Sequence, residues 1–313
     1  MTFIIAEIGS NFRSLDDCIK AIAYSKHCGA NAVKFQLASE VELYGHNIGL
    51  EIDKHFIKRE WLDPLRDEAN TQGIELMCSA FSSQGYSYVN EYVTRHKIAS
   101  CENTDPTILK TVAHFKKPTI ISLGDTTEYE MDKIHGIFKE CPLTFMYCEV
   151  KYPCKTHHLE FISYLKKKYG HAGFSDHSTD FSTIPITAAH HYGASIIEKH
   201  FNPLDIVGTP DAPHSLSVPE FSGMCMKVNN IDQPPLLWPS IGARPFKRTV
   251  VATQDIKIGE AFTPHNIGVY RSTNRHAGPS ALDYEDLIKG KVASKNYSQW
   301  SAIDGNGSTC KST

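Results

Sequence analysis

Eight short apolar runs alternate with helical stretches across residues 1–231, and this rhythm restricts the fold more than any other feature of the chain. The predicted strands are Phe3–Glu7, Ala32–Gln36, Ile74–Ser79, Lys97–Ser100, Thr119–Ser122, Thr144–Cys148, Gly173–Ser175 and Ser195–His200. Most are continuously apolar, as strands covered on both faces must be. Between them, Ser14 caps a helix whose apolar face is Leu15, Ile19 and Ile22, and Gly29 ends it. Thr126 or Thr127 caps another, with Met131, Ile134, Ile137 and Phe138 on one side; Leu159, Ile162 and Leu165 repeat the spacing. Eight alternations predict an α/β fold of the (β/α)8 TIM-barrel type rather than an open doubly wound sheet. No Gly-x-Gly-x-x-Gly follows the first strand, which argues against a dinucleotide site.

The rest of the chain departs from this rhythm. Residues 37–58, with Tyr44, His46, Asn47 and Glu51, are too long for a routine strand-to-helix loop and are expected to cover substrate. Pro234, Pro235, Pro239 and Pro245 mark 232–246 as a linker between a barrel at 1–231 and a small unit at 247–303, whose predicted strands are Thr249–Ala252 and Gly268–Tyr270. Residues 304–313 read as a flexible tail. A net charge of −3 without a basic block argues against nucleic acid as a partner. No apolar run approaches the ~20 residues of a membrane span, and the N-terminus lacks a basic n-region. Nine scattered cysteines with no CxxC pair fit a reducing, cytoplasmic setting.

A barrel builds its active site at the carboxyl ends of its strands. Those ends carry Glu7, Lys34 and Gln36, Ser79, Lys97 with Ser100 and Glu102, Ser122, Tyr152, Ser175 with His177, and Glu198 with His200. Lysines and hydroxyls suit a phosphate or carboxylate, and neutral imidazoles suit a divalent metal such as Mn2+ or Zn2+. Individually, each has a plainer reading. Glu7 could only pair with Lys34, Glu102 could sit near a helix N-terminus, and Glu198 could partner Lys199. Cys101 and Cys148 read as packing residues. It is the joint pattern that points to a phosphorylated acid handled beside a metal.

Five segments in register, Phe3-Ile-Ile-Ala-Glu-Ile-Gly-Ser-Asn11, Ala32-Val-Lys-Phe-Gln36, Lys97-Ile-Ala-Ser-Cys-Glu102, Gly173-Phe-Ser-Asp-His-Ser178 and Ile197-Glu-Lys-His200, resemble the sialic acid synthase family. Thr249-Val-Val-Ala252, Asp255-Ile-Lys-Ile-Gly-Glu260 and Gly290-Lys-Val-Ala293 resemble its C-terminal antifreeze-like (SAF) domain. The resemblance implies condensation of phosphoenolpyruvate with N-acetylmannosamine or a related N-acylated hexose, with release of phosphate. It implies metal binding by His177 and His200 (Mn2+ foremost, or Mg2+ or Co2+). It implies phosphoenolpyruvate binding by Lys34, Lys97, Ser100, Ser122 and Ser175, with Gln36 beside them. Glu7 and Glu102 become the catalytic carboxylates, Glu102 being the better placed for proton handling. Tyr152 and Asp211 become sugar contacts. Arg271 becomes a contact to the sugar's N-acyl group, delivered to a neighbouring subunit in a domain-swapped homodimer. Phe12, Val150 and Ser272 depart from the family pattern, and N-acetylmannosamine and the legionaminic and pseudaminic precursors all remain open as acceptors. Three other readings stand beside it: a 3-deoxy-aldulosonate synthase, which would lack the tail; a Schiff-base aldolase using Lys97; and a silent sugar-binding barrel.

Overall fold

The computed structural model describes residues 2–230, 248–271, 280–303 and 308–309. The predicted linker at 232–246, Ser272 and all but two residues of the predicted tail lie outside these. In chain order the elements are β1 (Phe3–Glu7), α1 (Leu15–His27), β2 (Ala32–Leu37), α2 (Glu40–Tyr44), α3 (Leu62–Gln72), β3 (Glu75–Ala80), α4 (Ser83–Val89), β4 (His96–Ile98), α5 (Pro106–His114) and β5 (Thr119–Ser122). They continue with α6 (Glu128–Ile137), β6 (Leu143–Cys148), α7 (Glu160–Tyr169), β7 (Ala172–Asp176), α8 (Ile184–His190), β8 (Ile196–His200), α9 (Val218–Asn230), β9 (Arg248–Ala252), β10 (Ile267–Arg271) and α10 (Tyr284–Ile288).

Strands β1 to β8 are all parallel, in the order β3-β2-β1-β8-β7-β6-β5-β4. The barrel is nearly closed. At its seam, β3 and β4 share no backbone ladder. Instead the hydroxyls of Ser79 (3.1 Å) and Tyr86 (2.8 Å) donate to the carbonyl of Lys97. This explains why the strand expected at Lys97–Ser100 is only His96–Ile98. Past Ile98 the chain already turns, with the Glu102 amide donating to the Ala99 carbonyl.

The helix signals act as their chemistry requires. Ser14 accepts from the Asp17 amide at the start of α1, and Thr127 rather than Thr126 caps α6, in a reciprocal capping box with Glu130.

Inside the barrel lies an apolar floor of Ile5, Ala32, Met77, Ile120, Met146 and Ile196. Gly173 shares this layer. A Cβ there would lie 2.9 Å from Met146 Cγ and 3.0 Å from the Ile196 carbonyl, so only glycine fits. The strand period of two makes the next inward residues Glu7, Lys34, Ser79, Ser122, Cys148, Ser175 and Glu198, one step above the floor. The opposite faces of the same strands, with Ile4, Ala6, Val33, Phe35, Phe145 and Ile197, join the helices in the main core.

Residues 248–303 carry a separate small core of Val250, Ala252, Ile256, Phe262, Ile267, Leu287, Ala293, Tyr297 and Ile303 around the antiparallel β9–β10 pair. This unit meets the barrel mouth of its own chain. Arg248 donates to the carbonyls of Phe81 and Glu42 (3.3 Å) and pairs with Glu102. The His46 ring stacks on Trp300 at 4.2 Å. The 37–58 segment, expected to cover substrate, packs against this small unit through α2 and His46. Its Glu40 carboxylate binds the Ile48 and Leu50 amides at 2.7 and 2.9 Å, folding the loop back on itself, and its tip faces the small unit.

Candidate active site

The strand ends enclose a cavity of about 390 Å³, within the usual range for a small-molecule site. At its base four buried charges form a chain. Lys34 Nζ lies 2.7 Å from Glu7 Oε2 and 3.6 Å from Glu198 Oε2, and Lys97 Nζ lies 3.2 Å from Glu198 Oε1. Gln36 donates to Glu7 at 2.5 Å, and Ser175 donates to Glu198 at 3.0 Å. The two carboxylates are driven apart. Burial resists ionisation of both, but Lys34 and Lys97 together hold Glu198 below the usual carboxylate range. For Glu7, burial outweighs Lys34, and its pKa is raised. Glu7 is therefore the carboxyl suited to carry a proton, and Glu198 the fixed anion. Burial also lowers the pKa of Lys97, against the pull of Glu198.

The hydroxyls line one wall. Ser100 Oγ accepts from the Gly124 amide at 3.0 Å, and the buried Ser122 hydroxyl has no hydrogen-bond partner among the described residues. Cys148 also faces the cavity, but burial pushes its thiol up to about 12. His177 Nδ1 lies 3.9 Å from the Cys148 sulfur, but it donates its proton to the Glu149 carbonyl at 2.7 Å and so is not the base for that thiol.

On the other wall His177, His200 and Tyr152 gather, with Tyr152 stacked on His177 at 4.2 Å and the two imidazoles 5.5 Å apart. Burial lowers His177 to about 4 and takes His200 well below its ordinary value, so both are neutral near pH 7. The Glu149 contact leaves Nε2 of His177 as the free acceptor. His200 Nδ1 is buried and makes no hydrogen bond among the described residues. His200, Asp211 and His214 offer ligand atoms within 4.8 Å of one another. Neutral imidazoles, an orphaned ring nitrogen and a carboxylate fit a borderline divalent cation.

His177 stands on a turn held from behind. Lys199 Nζ bonds Asp176 Oδ2 at 2.7 Å, the Ser178 carbonyl at 2.6 Å and Ser178 Oγ at 3.0 Å, fully buried. Burial opposes ionisation of Asp176, yet Lys199 overrides it and keeps the carboxyl low. Lys199 is thus the partner of Asp176 rather than of Glu198, because adjacent strand residues face opposite sides.

Glu7, Lys34, Gln36, Lys97, Ser100, Ser122, Tyr152, Ser175, His177, His200, Asp211 and Arg271 all line the cavity. Glu102 does not. It is wholly buried, one oxygen paired with Arg248 and the other 2.8 Å from Arg271. Sequence reasoning missed Arg248 and His214 and left Glu198 ambiguous. Only the spacing of three in Asp211-Ala-Pro-His214 hinted at the second. Arg271 reaches the barrel of its own chain, its Nη2 donating to Glu102 at 2.8 Å.

Among the described residues no helix is long and apolar enough to cross a membrane. Residues 21–234 match the model of the NeuB family. The chain is 32% identical, over 94% of its length and 93% of the relative's, to a pseudaminic acid synthase of Campylobacter jejuni subsp. jejuni strain 81-176. Its fold is similar to that of the spore coat polysaccharide biosynthesis protein SpsE of Bacillus subtilis, with a TM-score of 0.84, 25% identity, and coverage of 99% of this chain and 96% of that one. An N-acetylneuraminic acid synthetase of Leptospira borgpetersenii gives 0.68 and 27%, over 73% and 82% of the two chains.

Proposed function

Because this chain belongs to the NeuB family, we propose that it is a nonulosonic acid synthase, condensing phosphoenolpyruvate with N-acetylmannosamine or a related N-acylated hexose. The observation that carries this reading is the buried Glu7–Lys34–Glu198–Lys97 chain facing a set of neutral imidazoles across one cavity.

Lys34 and Lys97 hold the phosphate and carboxylate of phosphoenolpyruvate, with the hydroxyls of Ser100, Ser122 and Ser175 as further contacts. In a dry site this is chiefly positioning and electrostatic stabilisation. The enol-phosphate C3 bonds to the aldehyde carbon of the open-chain sugar, water adds at C2, and inorganic phosphate leaves with the bridging oxygen. Glu7 carries the proton exchanged with the acceptor oxygen or the water. His177 and His200 would hold a divalent cation, Mn2+ foremost, which when bound supplies Lewis-acid polarisation of the aldehyde oxygen. Tyr152 and Arg271 border the space left for the sugar, and Glu102 aims Arg271.

The chain divides into a catalytic barrel (1–231), a linker (232–246), an SAF-like unit (247–303) and a tail (304–313). It works in the cytoplasm as a homodimer in which the SAF-like unit of each chain caps the other's barrel. The faces seen between Arg248, Arg271 and Glu102 serve equally between two chains.

The test is phosphate release from phosphoenolpyruvate and Mn2+ against a panel of N-acylated hexoses, with product mass and the fate of oxygen-18 at the C2 position of phosphoenolpyruvate. Label recovered in phosphate supports C–O cleavage. No release with any sugar, together with a borohydride-trapped pyruvate adduct on Lys97, would make the protein a Schiff-base aldolase instead. Within the panel the diacetamido-hexose precursor of pseudaminic acid is a second acceptor reading, favoured by the relative that matches 94% of the chain.

A further inference from the structure

We propose that His214 is a third imidazole ligand of the divalent cation, and Asp211 its carboxylate ligand, alongside His177 and His200. The inference rests on the metal-dependent reading above and goes beyond it in the donor set. His214 closes the short turn Ala212–His214, and its ring lies 4.6 Å from that of His200, closer than His177 at 5.5 Å. It is 3% exposed, and its Nε2 is without a well-formed hydrogen bond among the described residues. That nitrogen lies 3.4 Å from Asp211 Oδ1, an ion-pair contact looser than the usual N–H···O hydrogen bond. His200 Nδ1 is orphaned in the same way, 4.0 Å from Asp211 Oδ2. Two buried imidazole nitrogens and a carboxylate, mutually close and only loosely paired, are arranged as ligands around a cation rather than as a tightly bonded polar network.

The carboxylate is also held in place from behind. Ser10 gives Asp211 Oδ2 its amide at 2.7 Å and its hydroxyl at 2.9 Å, which leaves Oδ1 free toward His214. The Ser215 hydroxyl fixes the Asp211 carbonyl at 2.7 Å, and the Asp211 amide returns to Ser10 Oγ at 3.0 Å. Gly9, at φ +56°, makes room. A Cβ there would lie 2.2 Å from Asp211 Oδ2 and 3.4 Å from the His200 ring. Partners that orient a ligand in this way are the usual second layer of a metal site. Asp211 then serves the cation rather than the sugar.

The test is titration of Co2+ alone into metal-free full-length protein, read by calorimetry, by the d–d spectrum and by counting paramagnetically shifted imidazole N–H resonances. Three such resonances are expected in the wild type. His214→Ala should weaken Co2+ binding at least tenfold and change the spectrum, and Asp211→Asn, which keeps the shape of the side chain, should do the same with an unchanged circular dichroism spectrum. Two resonances in the wild type overturn the proposal whether or not the variants fold; so does an unchanged Kd and spectrum in His214→Ala. In either case, lost Co2+ binding in His177→Ala would leave the underlying metal reading standing. A wild type that binds no Co2+ overturns both.

Discussion

Lys34 Nζ and Glu7 Oε2 meet at 2.7 Å on neighbouring strands, with both side chains buried, and yet burial keeps the Glu7 carboxyl above its ordinary pKa. In the proposed reaction this pair sets a substrate-binding lysine beside a proton carrier. Glu7→Gln should lower kcat by at least about a hundredfold while changing the KM for phosphoenolpyruvate only a few-fold, because Lys34 retains Glu198. A kcat within twofold of the wild type would remove Glu7 from the proton path.

Glu102 has the opposite character. Its two oxygens are taken by Arg248 and Arg271, and it does not reach the cavity. Glu102→Gln should therefore raise the acceptor KM, through a misaimed Arg271, more than it lowers kcat. A kcat loss of about a thousandfold at unchanged KM would return Glu102 to proton handling.

Breaking the pair behind His177 should be costly. Lys199→Met leaves Asp176 buried without its cation, which typically costs about 3–5 kcal/mol. Urea unfolding checks the loss. A change below about 1 kcal/mol would mean that water or another donor takes over.

Stability should also depend on pH through His96 at the start of β4. Burial lowers it from 6.5 to about 4, so the unfolded chain binds a proton that the folded chain refuses. The contribution is complete above pH 6.5 and is lost as pH falls toward 4, by up to about 3 kcal/mol. In His96→Gln the stability profile between these limits should be shallower by that amount. An identical slope in both proteins would show that carboxylates alone set acid stability.

Most of the barrel was legible because parallel strands buried on both faces leave short apolar runs, and because the strand period of two carries that pattern straight to Glu7, Lys34, Ser122 and Ser175. The strand at Lys97 was overlong because the seam is closed by Ser79 and Tyr86 hydroxyls, which no local pattern announces. Glu198 was obscured by Lys199, its neighbour in sequence but its opposite across the strand. His214 sits in a turn without periodicity, and the capture of Glu102 depends on an arginine 146 residues away. Contacts between distant segments were what the sequence withheld.

The double grip on Glu102 also sets a rule for recombination. A barrel of this kind grafted onto another relative's tail would bury a bare anion unless both arginines arrived with it. Glu102, Arg248 and Arg271 should therefore be exchanged as one inherited unit in any chimera.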